Sequence, residues 1–219
     1  IHQKLADSFD EMTNLSKDLR ERLNREYTLH SMEVVEVQTS KIDGTQKYLF
    51  RLYDGHVIES VLMKYHHGNS VCISSQVGCR MGCKFCMTGT LGFHGHLSAA
   101  EILNQIFSIP DADKLTNIVY MGEGEPMDNL DNVLRSLEAM TAAWGCAWSP
   151  KRITVSSVGI IKDLKRFIEE SECHLAISLH NPYSIERQEV MPIEKAHHLS
   201  DVIALLKQYD WSHQRRVSF

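Results

Sequence analysis

No apolar run in the chain approaches the length of a bilayer span. Residues 1–10 hold neither a basic leader nor an apolar signal core, so neither membrane insertion nor export is expected, and a cytoplasmic location is. Positive charge is not in excess either: 23 Lys and Arg stand against 28 Asp and Glu, for a formal net charge of -5 with His neutral. That balance excludes a uniformly basic coat for nucleic acid. Only local cationic groupings remain for such a role: Lys64 with His66 and His67, Lys151 with Arg152, and His213 with Arg215 and Arg216. Internal repeats and low-complexity segments are absent. Cysteine is scarce, and three of the six (Cys72, Cys79, Cys83, Cys86, Cys146 and Cys173) crowd together, which excludes the spaced disulfide framework of a small secreted domain. Metal or redox chemistry in a reducing compartment is the preferred reading.

What is present suits a globular enzyme. The 219 residues, 43% of them hydrophobic and 23% charged, suffice for one sizeable core or one core with a small satellite. Over residues 7–25, Phe9, Met12, Leu15, Leu19 and Leu23 recur at three- and four-residue steps and predict one amphipathic helix. Extended stretches at residues 32–39, 48–52 and 57–64 follow, separated by Asp43-Gly44 and Asp54-Gly55, the turn chemistry of an antiparallel meander.

Beyond the polar break at residues 66–70, short apolar strands alternate with amphipathic helices. Strands are expected at residues 71–75, 117–121, 153–157, 174–178 and 216–219, and helices at 98–107, 130–141, 162–169 and 199–209. This alternation predicts an α/β fold with a parallel sheet whose ligands gather at the C-terminal strand edge. Loops carrying motifs, at residues 76–95, 122–129, 158–161 and 179–195, follow the first four strands. Residues 1–66 are thus expected to form a helix-plus-meander accessory region and residues 67–219 a partial (β/α) barrel. The last residues look like the opening of a strand with no covering helix, so a piece of a longer protein is expected.

The chemistry centres on Cys79-Arg-Met-Gly-Cys83-Lys-Phe-Cys86, a C-x3-C-x2-C triplet on a glycine-bearing loop directly after a strand. Thiolates are the ligands of iron–sulfur clusters, ordinarily four to a cubane, so three leave one iron open to a further ligand. Zinc or buried free thiols are the alternatives, but closed structural zinc takes four ligands, commonly in paired CxxC units. Lys84 and Arg80 would offset an anionic cluster, and Phe85 would shield it or simply pack.

The triplet is the signature of the radical S-adenosylmethionine (SAM) superfamily. Val71-Cys72-Ile73-Ser74-Ser75-Gln76-Val77-Gly78-Cys79, Met121-Gly122-Glu123-Gly124-Glu125-Pro126 and Ala176-Ile177-Ser178-Leu179-His180-Asn181-Pro182 together resemble the RlmN/Cfr family of bacterial RNA adenine methyltransferases. The resemblance implies a partial radical-SAM barrel, a [4Fe-4S] cluster on Cys79, Cys83 and Cys86, and SAM. It implies cofactor contacts from Gly124 and Glu125, the latter accepting from the SAM ammonium, from Ser156, and from Ser178, Leu179 and His180. Glu59 corresponds to the family's proton acceptor, and Cys72 to the thiol that resolves a covalent RNA adduct through a transient disulfide. Read from residue type alone, Glu59 is an exposed-face strand residue, Cys72 a small buried hydrophobe, and the serines and His180 turn formers. Cys146 and Cys173 match no motif. Glu123 departs from the family, which often has Met there.

The implied reaction uses two SAM molecules, one to methylate a C-terminal cysteine and one to generate the radical that activates that methyl group for attack on adenine C2. The implied partners are 23S rRNA, tRNA and an electron donor such as flavodoxin, for a monomeric enzyme without membrane contact. The methyl-carrying cysteine and a further SAM-contacting asparagine are expected beyond residue 219, so the chain by itself is not expected to complete methylation. A Cfr-like enzyme acting at adenine C8, disfavoured by Pro126 after Glu125, and a non-catalytic metal- or RNA-binding module are the alternatives.

Overall fold

A computed structural model describes residues 8–27, 32–66, 68–212 and 215–219. Its centre is an eight-stranded sheet in the order β1-β2-β3-β4-β7-β8-β9-β10. The strands are β1 (Glu33–Thr39), β2 (Gln46–Arg51), β3 (Val57–Tyr65), β4 (Gly68–Cys72), β7 (Leu115–Tyr120), β8 (Ile153–Ser157), β9 (His174–Ile177) and β10 (Val217–Ser218). From β4 to β10 neighbouring strands run parallel, whereas β1, β2, β3 and β4 pair antiparallel in sequence. The meander therefore extends the parallel sheet by hydrogen bonding. The β3–β4 reversal, with Tyr65 opposite Gly68, lies where residues 1–66 were expected to give way to the barrel.

The helices cover one face. They are α3 (Ala99–Phe107), α4 (Leu130–Thr141), α5 (Ile161–Glu170) and α7 (Leu199–Leu206), each close to its expected span. Ile102 and Ile106 of α3, Val133 and Leu137 of α4, Leu164 and Phe167 of α5 and Val202 of α7 join Val71, Ile73, Ile118, Tyr120, Val155 and Leu175 of the sheet in one core. Each such side chain contributes roughly 1.5–3 kcal/mol by leaving water. Strand residues of the other parity, Cys72, Val119, Ser156 and Ala176 among them, are only half-buried, as period-two alternation requires. The Ser98 hydroxyl caps Glu101 N–H, and the Glu101 carboxylate returns to Ser98 N–H, fixing the start of α3.

Three local expectations are corrected. The single helix over residues 7–25 is a 3-10 turn at Phe9–Glu11 followed by α1 (Lys17–Glu26), and residue 7 lies outside the described residues. The break comes at Ser16, whose hydroxyl accepts Leu19 N–H and starts α1 afresh; as an N-cap it outcompetes continuation of the apolar stripe. Residues 76–95, expected as a loop, are closed at the base by β5 (Gln76–Gly78) pairing antiparallel with β6 (Phe93–His96), with the short α2 (Met87–Leu91) between. The loop expected at residues 179–195 likewise holds a helix, α6 (Ser184–Val190).

Gln105, 0% exposed, ties α3 to the meander. Its Oε1 accepts from the Ser60 hydroxyl at 2.8 Å and from Ser74 N–H at 2.7 Å, while Nε2 donates to the Ser74 carbonyl at 2.8 Å. Gln105→Leu keeps the volume but strands these buried groups. The expected cost is roughly 3 kcal/mol or more, read as a fall of roughly 6–12 °C in the thermal midpoint.

Candidate active site

The C-terminal ends of β4, β7, β8 and β9 surround a cavity of about 280 Å³. Cys79, Cys83 and Cys86 line it from one side, Gly124 and Glu125 from the loop after β7, Ser156 and Val158 from the end of β8, and Ser178 and His180 from the loop after β9. Phe85 reaches from the cysteine loop to the His180 ring, centroids 4.4 Å apart, and closes one wall. Eight of the eleven candidate residues thus meet at one place.

Leu179, Glu59 and Cys72 do not line it. The Leu179 carbonyl points instead to the Arg187 guanidinium, Nε donating at 3.1 Å. Glu59 stands on β3, where Lys47 Nζ lies 2.9 Å from its carboxylate. Cys72 on β4 pairs in register with Val61, two residues along β3 from Glu59, so the period of the strand puts Glu59 and Cys72 on one sheet face.

Burial governs the acids of the site. Glu125 is 3% exposed, and loss of solvent pushes its carboxyl up to about 7, although N–H groups of Val158 and Met127 and the Ser157 hydroxyl favour the charged form. Those N–H groups donate at 3.0 and 3.1 Å. Such a carboxylate is poorly neutralised within the chain and suits a cationic ligand. Gly124 makes the approach possible. Its φ is +95°, and a Cβ placed there would lie 2.5 Å from Gln76 Cβ. Gly124→Ala combines backbone strain with overpacking, for an expected loss of roughly 2–5 kcal/mol, measurable by denaturant unfolding.

Burial likewise raises the thiols, Cys79 to about 11 and Cys83 in the same direction, so in the free chain they hold their protons. Bound metal reverses that preference, because coordinated thiols are deprotonated. Among the described residues no three His, Cys, Asp or Glu side chains converge on a position for one metal ion. Three soft thiolates spread along one cavity fit a cluster, in which each takes its own iron, better than mononuclear zinc. The donor set therefore fits a cluster, which Cys79, Cys83 and Cys86 would hold in the cavity that Glu125, Ser156 and Ser178 also line, the two serine hydroxyls 3.4 Å apart.

A buried polar frame that motif reading does not single out aligns these loops. Gln76 Oε1 accepts Glu125 N–H at 2.8 Å, and its Nε2 donates to Asp128 at 2.8 Å. Asp128 in turn pairs with Arg80 of the cysteine loop at 2.8 Å. Asn129 Nδ2 donates to the carbonyls of Ser75 and Leu97. Glu123, the departure from the family pattern, is put to use as well: its carboxylate accepts Glu59 N–H at 3.0 Å and Gly78 N–H at 3.2 Å, strapping the meander to the cysteine loop. The available signal was a set of polar residues inside apolar strand-end motifs, which sequence alone does not distinguish from solvated turns.

The cationic groupings fare less well. His67 and His213 lie outside the described residues. Lys64 pairs with Asp111 at 3.3 Å. Arg215 is corrected from a surface cation to a structural one, since its guanidinium donates to the carbonyls of Cys173, Ile168 and Phe167. Among the described residues no helix is long and apolar enough to cross a membrane.

A cysteine triplet and a buried carboxylate line one cavity at the C-terminal edge of the parallel strands, and the chain belongs to the radical SAM superfamily. The family model described as Radical SAM superfamily matches residues 73–217, and the one described as Ribosomal RNA large subunit methyltransferase N-terminal domain matches residues 1–29. The chain is 54% identical over 219 residues to a Bacteroides fragilis protein named "Probable dual-specificity RNA methyltransferase RlmN", covering 100% of this chain and 63% of that protein. A protein of the same name from Lachnospira eligens is 48% identical over 222 residues, covering 100% of this chain and 63% of its relative. A crystal structure of a radical SAM methyltransferase from Sphaerobacter thermophilus superposes with a TM-score of 0.90 at 36% identity, over 99% of this chain and 65% of that one. The chain thus spans somewhat under two thirds of the length of these curated relatives.

Proposed function

We propose that the protein this chain belongs to methylates C2 of adenine in 23S rRNA and tRNA by radical chemistry. The observation that carries the proposal is the meeting of Cys79, Cys83 and Cys86 with Glu125, Ser156, Ser178 and His180 around one cavity, with Glu59 and Cys72 on one sheet face nearby. The printed names of the relatives and of the family matched by residues 1–29 supply the RNA substrate and the dual specificity.

The bound [4Fe-4S] cluster and SAM supply a carbon radical able to activate a methyl group that ordinary displacement chemistry leaves inert. The three thiols hold the cluster, while the buried Glu125 carboxylate takes the SAM ammonium and the Ser156 and Ser178 hydroxyls are placed for its polar groups. Phe85 and His180, both exposed, wall one side of the cavity. Glu59 is assigned to accept the proton lost from the methylated adenine, with the Lys47 ammonium 2.9 Å from its carboxylate. Cys72 is assigned to resolve the adduct. Burial pushes its thiol up to about 11 in the ligand-free chain. A low-potential flavoprotein such as flavodoxin fits the need for an electron donor, in the cytoplasm.

The test is anaerobic incubation of the intact gene product with SAM, reductant and unmodified 23S rRNA and tRNA, followed by nucleoside mass spectrometry. C2-methyladenosine from both RNAs is expected. C8-methyladenosine would transfer the assignment to the Cfr-like reaction, and unmodified RNA with SAM consumed would overturn RNA as substrate.

A further inference from the structure

Arg187 on α6 is 0% exposed, the largest fully buried side chain described, and no cofactor assignment uses it. Its partners are all on the cavity's supporting loops. Nη2 donates to the Val158 carbonyl at 3.0 Å, just past β8, and to the Ser178 carbonyl at 3.1 Å, just past β9. Nε donates to the Leu179 carbonyl, and Nη1 to Glu194. Glu194, also 0% exposed, is itself fixed by the Ser184 hydroxyl at 2.7 Å and by Leu199 N–H.

A guanidinium offers a rigid planar fork of donors, so three carbonyls held by one head are held at a fixed mutual spacing. Two of them belong to different strand ends, and all three immediately flank or belong to residues that line the cavity. The third sits one residue before His180, whose φ of +55° is a left-handed conformation uncommon for any residue but glycine. Such a conformation persists only where its surroundings over-determine it. The Arg187 bond to Leu179 is one such determinant, and it aims the imidazole at Phe85 of the cysteine loop.

We propose that Arg187, anchored by Glu194, is the positioning residue that presets the SAM side of the cavity by clamping the loops after β8 and β9. It touches neither cofactor nor substrate. This rests on the reading of the cavity as a SAM site. The three cysteines stand on a different loop, hydrogen-bonded to α6 from Lys84 N–H to the Val190 carbonyl, but the Arg187 charge also favours the Cys83 thiolate, so a variant that keeps the charge is needed to separate SAM affinity from cluster assembly.

The experiment uses the intact gene product, reconstituted anaerobically with iron and sulfide and without reductant, so that SAM is bound and not consumed. Iron content, thermal midpoint and SAM dissociation constant are measured for wild type, Arg187→Lys and the double variant Arg187→Met with Glu194→Met. Lys keeps a charge opposite Glu194 but loses the fork. The double variant replaces the buried pair by apolar side chains, an exchange that commonly preserves or raises stability. Both are expected to weaken SAM binding at least tenfold; Arg187→Lys, which keeps the positive charge felt by Cys83, is expected to keep wild-type iron content, and the double variant its thermal midpoint within a few degrees. A merely structural pair predicts that stability and SAM affinity recover together. Wild-type SAM affinity in either folded variant therefore overturns the proposal. A wild-type protein that takes up iron and sulfide but no SAM overturns the cavity reading, and this proposal with it.

Discussion

Replacing any one of Cys79, Cys83 or Cys86 with Ala is expected to abolish stable cluster assembly, dropping iron from about four per chain to below about one after anaerobic reconstitution. Each of the three thiolates would hold its own iron, so removing one leaves an iron without its protein ligand. Cys146 and Cys173 offer no rescue: Cys146 lines a separate cavity and Cys173 is buried beneath Arg215. Ala at either of these two is expected to leave iron content unchanged, so the five single variants, assayed together for iron and sulfide, separate ligands from bystanders. Loss on substituting Cys146 would contradict the assignment as directly as retention on substituting Cys83.

Glu125 carries the second large effect, through pH. Its carboxyl rises from the ordinary 4.5 to about 7 in the folded, ligand-free chain. A raised folded-state value means that the folded chain prefers the protonated acid. This contribution to stability is complete below about pH 4.5 and is lost as pH rises through about 7, a swing on the order of 3 kcal/mol. Glu125→Gln cannot ionise, so its stability is expected to lack that slope between pH 4.5 and 7, as checked by urea unfolding across the series. Binding of SAM runs the other way. The ammonium pairs with the carboxylate form, so affinity is expected to rise by up to about tenfold per pH unit until about pH 7 and then level off. In Glu125→Gln the affinity is expected to be weak and nearly independent of pH. A wild-type profile without that break would remove Glu125 from the ammonium-binding role.

How much of this was legible depended on what kind of fact each residue carries. The cysteine triplet is readable because ligand identity and spacing are written in the covalent chain. The strand at Ile153–Ser157 and the helix at Leu130–Thr141 emerge at their expected bounds because apolar period and flanking breakers agree there. Gly124 and Glu125 are legible as a motif, but neither the burial that lifts the Glu125 carboxyl nor the opposing hydrogen bond from Val158, thirty-three residues away, is announced by any local pattern. The same limit hid Arg187 and Glu194: in sequence they read as two charges in the loop expected at residues 179–195, and only the tertiary fold takes both out of water. Arg215 shows the converse, a cation that reads as surface and is used to satisfy helix- and strand-end carbonyls. Short elements escaped for a related reason. The three residues of β5 pair with β6 across the cysteine loop, and a pairing that brief leaves no periodicity to detect.

The central claim is that one cavity holds an iron–sulfur cluster with an iron open to SAM. Electron paramagnetic resonance of the reduced, anaerobically reconstituted protein, recorded with and without SAM, tests it most directly. The account predicts a reduced-cluster signal that shifts when SAM is added and that does not shift in Glu125→Gln at neutral pH. Stoichiometric zinc with no iron, or a cluster signal indifferent to SAM in the wild type, would contradict it.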